Sequence, residues 1–193
     1  MGTAKQTGIR CFVAVELPDR IQTDLQGIQT ALQPLVHKAS WVKPGNVHLT
    51  LKFLGDIRPE STDAIQAALE QGTEKHSPFS MDIGGIGAFP NLKRPRVLWI
   101  GIKQGSATVA RLADAVNRAL MPLGFSTDTR FHPHLTLARL KASTTLEPLK
   151  NILRKYDTIK SGSVRVTGVT LMQSRLHRNG ARYTPLGVCH FPE

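Results

Sequence analysis

Cysteine is nearly missing from this chain: two thiols, Cys11 and Cys189, stand far apart in 193 residues, and neither belongs to a CxxC pair. That excludes a disulfide-dense scaffold and a thiolate metal centre and fits a reducing cytoplasm; a single Cys11–Cys189 bridge is the alternative to two buried thiols. Long apolar runs are lacking as well. None approaches the ~20 residues a helix needs to span a bilayer, so no membrane partner is expected. The N-terminus, MGTAKQTGIR, has no apolar core of a secretory signal, and Gln6 stands where myristoylation of Gly2 wants Ser or Thr. Acidic residues are scarce too, with 14 Asp and Glu against 25 Lys and Arg for a formal charge of +11. The imbalance is greatest in residues 130–193, which hold eleven basic and three acidic side chains. Such a positive field attracts polyanions through phosphate contacts that need no sequence reading. Nucleic acid is the expected partner, with a merely solubilising surface as the alternative.

What is present is ordinary globular material. Hydrophobic residues make up 40% and charged residues 20%, enough for a sizeable core, and the length suits one compact domain or two small lobes sharing a cleft. Arg10–Leu17 reads as a buried strand, followed by a helix from Pro18-Asp19 to about Leu35 with Ile21, Leu25, Ile28 and Leu32 on one face. The turn Lys43-Pro44-Gly45-Asn46 precedes a strand over Val47–Leu54, and a helix follows over Pro59–Lys75. Strands are predicted at Phe79–Phe89 and Val97–Lys103, a helix at Ser106–Leu120, and a strand at His134–Leu140. A helix near Leu146–Tyr156, strands over Val164–Leu176 and Arg182–Cys189, and a hairpin connection at His177–Gly180 complete the pattern. Helices interleaved with mostly antiparallel strands mean an α+β fold.

One repetition stands out. HLTLKFL at residues 48–54 and HLTLARL at 134–140 agree at five of seven positions, and each is followed by a helix and two strands. Two copies are too few for a solenoid, so the expectation is a pseudo-symmetric duplication: two lobes, each presenting an equivalent strand to a central cleft. In a strand, residues i and i+2 share a face. His48 and Thr50 therefore point one way and Leu49 and Leu51 the other, with His134, Thr136, Leu135 and Leu137 repeating the scheme. Two imidazoles and two hydroxyls meeting in one cleft suit phosphodiester cleavage by water. One neutral imidazole takes the proton of the attacking water, and one imidazolium gives a proton to the leaving sugar oxygen. The hydroxyls of Thr50 and Thr136 can donate to the phosphate oxygens as charge grows on them. This chemistry asks for no metal and no cofactor. A single His-x-Thr would read as a structural histidine; the pair reads as a site.

On these motifs the chain resembles the 2H phosphoesterase superfamily, defined by two H-x-T-x motifs, and more closely the RNA 2′,3′-cyclic phosphodiesterases, also called 2′-5′ RNA ligases. The N-terminal CFVAVELP strand, HLTLKFLGD, FHPHLTLAR and the C-terminal SRLHRNGARYTPL hairpin carry that resemblance along nearly the whole chain, residues 1–193, as one domain. It implies a bilobal fold with mostly antiparallel sheets, and hydrolysis of RNA 2′,3′-cyclic phosphate ends to 2′-phosphates. It also implies His48 as proton donor to the departing 3′ oxygen and His134 as the base that activates water; spacing alone leaves the two symmetric. RNA with cyclic ends, tRNA fragments among them, is the implied substrate, and no obligate protein partner follows. Ligation of tRNA halves through the same cleft, or RNA binding without catalysis, are the alternatives.

The neighbours of the second motif carry weaker signals. Arg130, in the entry loop, is within reach of a phosphate, a solvated role being equally open. Arg139 lies five residues after His134, so strict alternation turns it to the opposite face unless a bulge intervenes. Phe131 reads as a core contact rather than a base platform. His132 and His134 have the spacing to chelate a metal from one face, but no carboxylate or cysteine cluster lies beside them. His37, His76, His177 and His190 read as surface or structural, and Trp41 and Trp99 as packing residues. Arg175, Arg178 and Arg182 near the last hairpin either follow an RNA backbone or are ordinary hairpin charge.

Overall fold

In the computed structural model, which describes residues 8–127, 131–141, 145–155, 162–178 and 180–193, the two repeated segments become the central strands of one antiparallel sheet. Its strands are β1 (Ile9–Val15), β2 (Ala39–Trp41), β3 (Leu49–Ile57), β4 (Phe79–Phe89), β5 (Val97–Gln104), β6 (His134–Leu140), β7 (Ser163–Val166), β8 (Gly168–His177) and β9 (Gly180–His190). They lie in the order β7-β4-β5-β6-β3-β1-β8-β9, with β2 added along β6. The fold is α+β, as expected, with helices α1 (Asp19–Leu32), α2 (Thr62–Thr73), α3 (Ser106–Leu120) and α4 (Lys150–Arg154).

The sheet has two halves, each built from an exchange. The expected lobe, a motif strand with the helix and two strands that follow it, is not the spatial unit. The β4–β5 hairpin, which follows the first motif, joins β6 of the second through β5. The β8–β9 hairpin, which follows the second motif, joins β1 beside β3 of the first through β8. The halves meet between β3 and β6 through the pair Leu49↔Leu135.

This exchange also corrects the single strand expected over Val164–Leu176. The chain breaks at Thr167: β7 pairs with β4 in one half, and β8 with β1 in the other. Gly168 permits the crossing, because a Cβ there would lie 2.3 Å from the carbonyl oxygen of Cys189. Helix bounds moved less. α1 stops at Leu32 rather than near Leu35; Gln33 keeps helical backbone and caps onto the Gln29 carbonyl, but Pro34 has no N–H to extend the ladder. The expected 146–156 helix contracts to a 3-10 turn over Glu147–Leu149 and α4, and Tyr156 lies outside the described residues.

The helices pack behind the sheet, opposite the cleft. α1 buries Ile21, Leu25, Ile28 and Leu32, and α3 buries Val109, Leu112, Val116 and Leu120, each side chain contributing about 1.5–3 kcal/mol. These stripes meet Leu49, Leu51, Leu135 and Leu137 in one core shared by both halves. Cys11 and Cys189 are free thiols, and burial first, then a nearby carboxylate, pushes both up to about 11. Among the described residues no helix is long and apolar enough to cross a membrane.

Candidate active site

The alternation read from the repeats positions the site. Leu49, Leu51, Leu135 and Leu137 are at most 1% exposed, while His48, Thr50, His134 and Thr136 are half-buried on the opposite face. Because β3 and β6 run antiparallel with Leu49 facing Leu135, continuing the register sets Thr50 beside His134 and His48 beside Thr136. The four residues predicted from the sequence thus converge on one face at the seam. Arg130 lies outside the described residues.

Each imidazole is held in the same way. His48 Nδ1 donates to the carbonyl of Asn46 at 2.9 Å, and His134 Nδ1 to the carbonyl of His132 at 2.7 Å. A carbonyl only accepts, so the proton of the neutral ring sits on Nδ1 and Nε2 is the atom left to take or give a proton. Aromatic rings steady both. Phe12 stacks on His48 with centroids 4.6 Å apart, and Tyr183 meets it edge-on at 5.0 Å. Phe89 meets His134 edge-on at 4.9 Å, and Trp99 approaches to 6.4 Å. Trp99 is therefore more than core packing. It lies over Gly87, where a Cβ would fall 2.3 Å from the indole.

Burial lowers the pKa of both imidazoles. At His48 it outweighs the Asn46 carbonyl and the Glu16 carboxylate, which raise it, while His134 lowers it slightly further. At His134 burial outweighs the His132 carbonyl, and the nearby His132 and Arg139 lower it too. The Arg139 guanidinium near His134 suits a site arranged around negative charge.

Arg139 requires a correction. Strict alternation turned it away from His134, yet it lines the cleft on both sides of the seam. The cause is a β-bulge. Trp99 pairs with Thr136 but Leu98 with Ala138, so β6 carries one extra residue at Leu137, and Arg139 swings onto the histidine face. β3 repeats the device: Ala14 pairs with Thr50 and Val13 with Lys52, with Leu51 the extra residue. Phe53, 62% exposed, thereby takes the place in the first motif that Arg139 takes in the second. The signal lies in the leucine spacing. Leu49, Leu51 and Leu54, like Leu135, Leu137 and Leu140, are spaced two and then three apart, and all six are buried. Three leucines facing one core at that spacing require one inserted residue.

Buried polar side chains fasten both bulges from behind. Gln29 of α1, 3% exposed, donates from Nε2 to the carbonyls of Leu137 and Val42, each at 2.9 Å. Lys52, in the first bulge, reaches Asn117 Oδ1 of α3 at 2.7 Å and the carbonyl of Ser126.

The cleft is continuous across the seam, with Thr50, Phe53, Thr136 and Arg139 common to its two sides. Arg10, Asn46, Ser174 and Tyr183 line the His48 side; Phe89, Val97, Phe131 and His132 line the His134 side. Phe131, expected as a core contact, packs on the core and also lines the cleft. Among the described residues no Asp or Glu lines either side, so the field they set inside favours an anion. Among the described residues no group of three His, Cys, Asp or Glu side chains is placed to hold a metal ion.

A sheet built around two opposed His-x-Thr strands is the arrangement of the 2H phosphoesterases, and the chain belongs to the 2′-5′ RNA ligase superfamily, whose sequence model matches residues 17–178. It is similar to a protein of Aquifex aeolicus named RNA 2′,3′-cyclic phosphodiesterase, at 39% identity over 75% of this chain and 77% of that one. A protein of the same name from Archaeoglobus fulgidus is 37% identical over 93% of this chain and 99% of its own length. Among solved structures, the chain resembles a Thermus thermophilus protein with TM-score 0.78 at 28% identity, covering 94% of this chain and 97% of that one. It resembles Escherichia coli LigT in its apo form equally well, with TM-score 0.78 at 26% identity, covering 97% of this chain and 99% of LigT.

Proposed function

We propose that this chain is a cyclic phosphodiesterase that opens RNA 2′,3′-cyclic phosphate ends to 2′-phosphates, working as one domain over residues 1–193. The observation that carries this reading is the pair of imidazoles on one face, each with Nδ1 tied to a backbone carbonyl so that Nε2 is the working atom. His134 Nε2 takes a proton from water as its oxygen bonds to phosphorus. The P–O3′ bond breaks, and His48, as imidazolium, gives its Nε2 proton to the departing 3′ oxygen. The two protonation states end exchanged and are restored through solvent. Thr50 and Thr136 donate hydroxyl hydrogen bonds to the non-bridging oxygens, and the Arg139 guanidinium balances the charge that grows on them.

The names of the relatives, the cationic side chains that line the cleft and the basic C-terminal third all favour an RNA end as substrate. E. coli LigT has been crystallised with phosphate and with 3′-AMP, which supports a nucleotide phosphate in the corresponding cleft. Exposed Phe53 is suited to stack on a base beside the phosphate. Fragments of tRNA fall within this substrate class, and the two free, buried thiols favour the cytoplasm as its compartment.

The test is a short RNA ending in a 2′,3′-cyclic phosphate, incubated in EDTA, with the product identified. The expected product is the 2′-phosphate; a 3′-phosphate would contradict the assignment of His48 to the 3′ oxygen. His48→Ala and His134→Ala should each lower turnover by roughly 10²–10⁴-fold, and full activity in either would remove the mechanism. Supplying an RNA with a 5′-hydroxyl in the same assay reads ligation as a joined product.

A further inference from the structure

Beside the His48 end of the cleft, the turn that precedes the first motif and the β8–β9 hairpin enclose a second groove, lined by Lys43, Asn46, His177, Ala181 and Arg182 among others. Asn46 and Ala181 also line the cleft next to His48, so the two depressions form one path. We infer that this groove is a phosphodiester subsite that holds the internucleotide phosphate on the 5′ side of the cyclic end, making a chain of two or more nucleotides the preferred substrate. The inference rests on the reading above that the 3′ oxygen departs toward His48.

Three observations carry it. The first is charge. Lys43 and Arg182, with His177, come from separate segments and converge on one groove, no acidic side chain lines it among the described residues, and residues 162–192 contain none at all. Cations meeting without counter-ions make a place for phosphate. Arg182, which the sequence left between an RNA track and ordinary hairpin charge, lies on this path; Arg175 and Arg178 do not line it.

The second is rigidity. Asn46 Nδ2 donates to the Ala181 carbonyl at 2.8 Å, while the Asn46 carbonyl accepts from His48 Nδ1 at 2.9 Å. One residue thus ties the groove to the imidazole. Gly180, at φ +106°, brings the hairpin so close that a Cβ there would lie 3.2 Å from the Lys43 side chain, which rests on the hairpin backbone.

The third is polarity along the cleft. The His134 side is walled mainly by Phe89, Val97 and Phe131, and its Arg139 is shared with the His48 side at the seam, where the reacting phosphate sits. In an in-line displacement the attacking water and the departing 3′ oxygen lie on opposite sides of phosphorus. The ribose, and the chain attached to its 5′ carbon, therefore lie on the His48 side, where the groove begins.

The test compares a nucleoside 2′,3′-cyclic phosphate with a dinucleotide carrying the same cyclic end, for the wild type and for Lys43→Ala and Arg182→Ala. A third substrate replaces the internucleotide phosphate by an uncharged methylphosphonate. The expected result is a wild-type kcat/KM about tenfold higher for the dinucleotide than for the mononucleotide. Most of that advantage should vanish in either variant and with the methylphosphonate, while mononucleotide turnover stays at the wild-type rate. Equal wild-type rates on dinucleotide and mononucleotide, or an equal loss on both substrates in the variants, would overturn the subsite. Wild-type protein that turns over neither substrate would overturn the phosphodiesterase reading itself.

Discussion

Gln29 sits on the helical side of the sheet with no surface in the cleft, yet the geometry gives it a measurable hold on the site. Both hydrogens of its Nε2 are engaged, one by the Leu137 carbonyl at the β6 bulge and one by the Val42 carbonyl. Gln29→Leu keeps the volume and removes both donors. Two hydrogen bonds at about 1 kcal/mol each, plus part of the desolvation cost of the Val42 carbonyl, amount to about 2–3 kcal/mol. In a chain of this length that lowers Tm by roughly 4–12 °C, read by thermal unfolding. The same loss frees the bulge that turns Arg139 onto the histidine face. Arg139→Ala removes a charged contact to phosphate worth about 1.5–3 kcal/mol, a loss of roughly 10–150-fold in kcat/KM on a cyclic-ended RNA. If Gln29 acts on catalysis through Arg139, Gln29→Leu should lower kcat/KM by about tenfold in the wild type but by less than about threefold in the Arg139→Ala background. The Tm decrease should be the same in both. A Tm change under about 2 °C, or the same factor in both backgrounds, would refute the coupling.

Two further outcomes follow from the imidazoles and their supports. Burial lowers both histidines below the ordinary ~6.5, and the productive free enzyme needs one proton on the pair. The optimum of kcat/KM against pH should therefore lie on the acid side of about 6.5. The profile should fall at lower pH as the base His134 protonates and at higher pH as the acid His48 loses its proton; an optimum above pH 7 would contradict the burial argument. Gly87→Ala should drive its new methyl group into Trp99 and displace the aromatic support of His134. It should lower kcat by about tenfold or more with a smaller change in KM, whereas wild-type kinetics would show that Trp99 does not orient His134.

The bulges show why the second arginine near the motif escaped a reading by alternation. Period-two reasoning is local and holds until a strand gains a residue. At the inserted residue Leu137, Val42 just after β2 and Gln29 of α1 both supply donors to its carbonyl. Lys52 provides a comparable anchor at the first motif through α3. The pseudo-symmetry of the repeats thus extends beyond His, Thr and Leu to the supports behind them, while Phe53 and Arg139 break it on the cleft side.

The sequence by itself determined the α+β class, most elements, the two His-x-Thr strands and the face each side chain takes, because these depend on spacing between near neighbours. The leucines at i+1 and i+3 name the core side, and the histidines and threonines inherit the other. The tertiary structure alone decided which strands pair, and so exchanged β4-β5 and β8-β9 between the halves, a choice made by edges and apolar faces far apart in the chain. It also decided that Leu49 meets Leu135, that Arg139 turns inward, and that Phe12, Tyr183, Phe89 and Trp99 steady the imidazoles. Each depends on long-range register, which no local periodicity encodes.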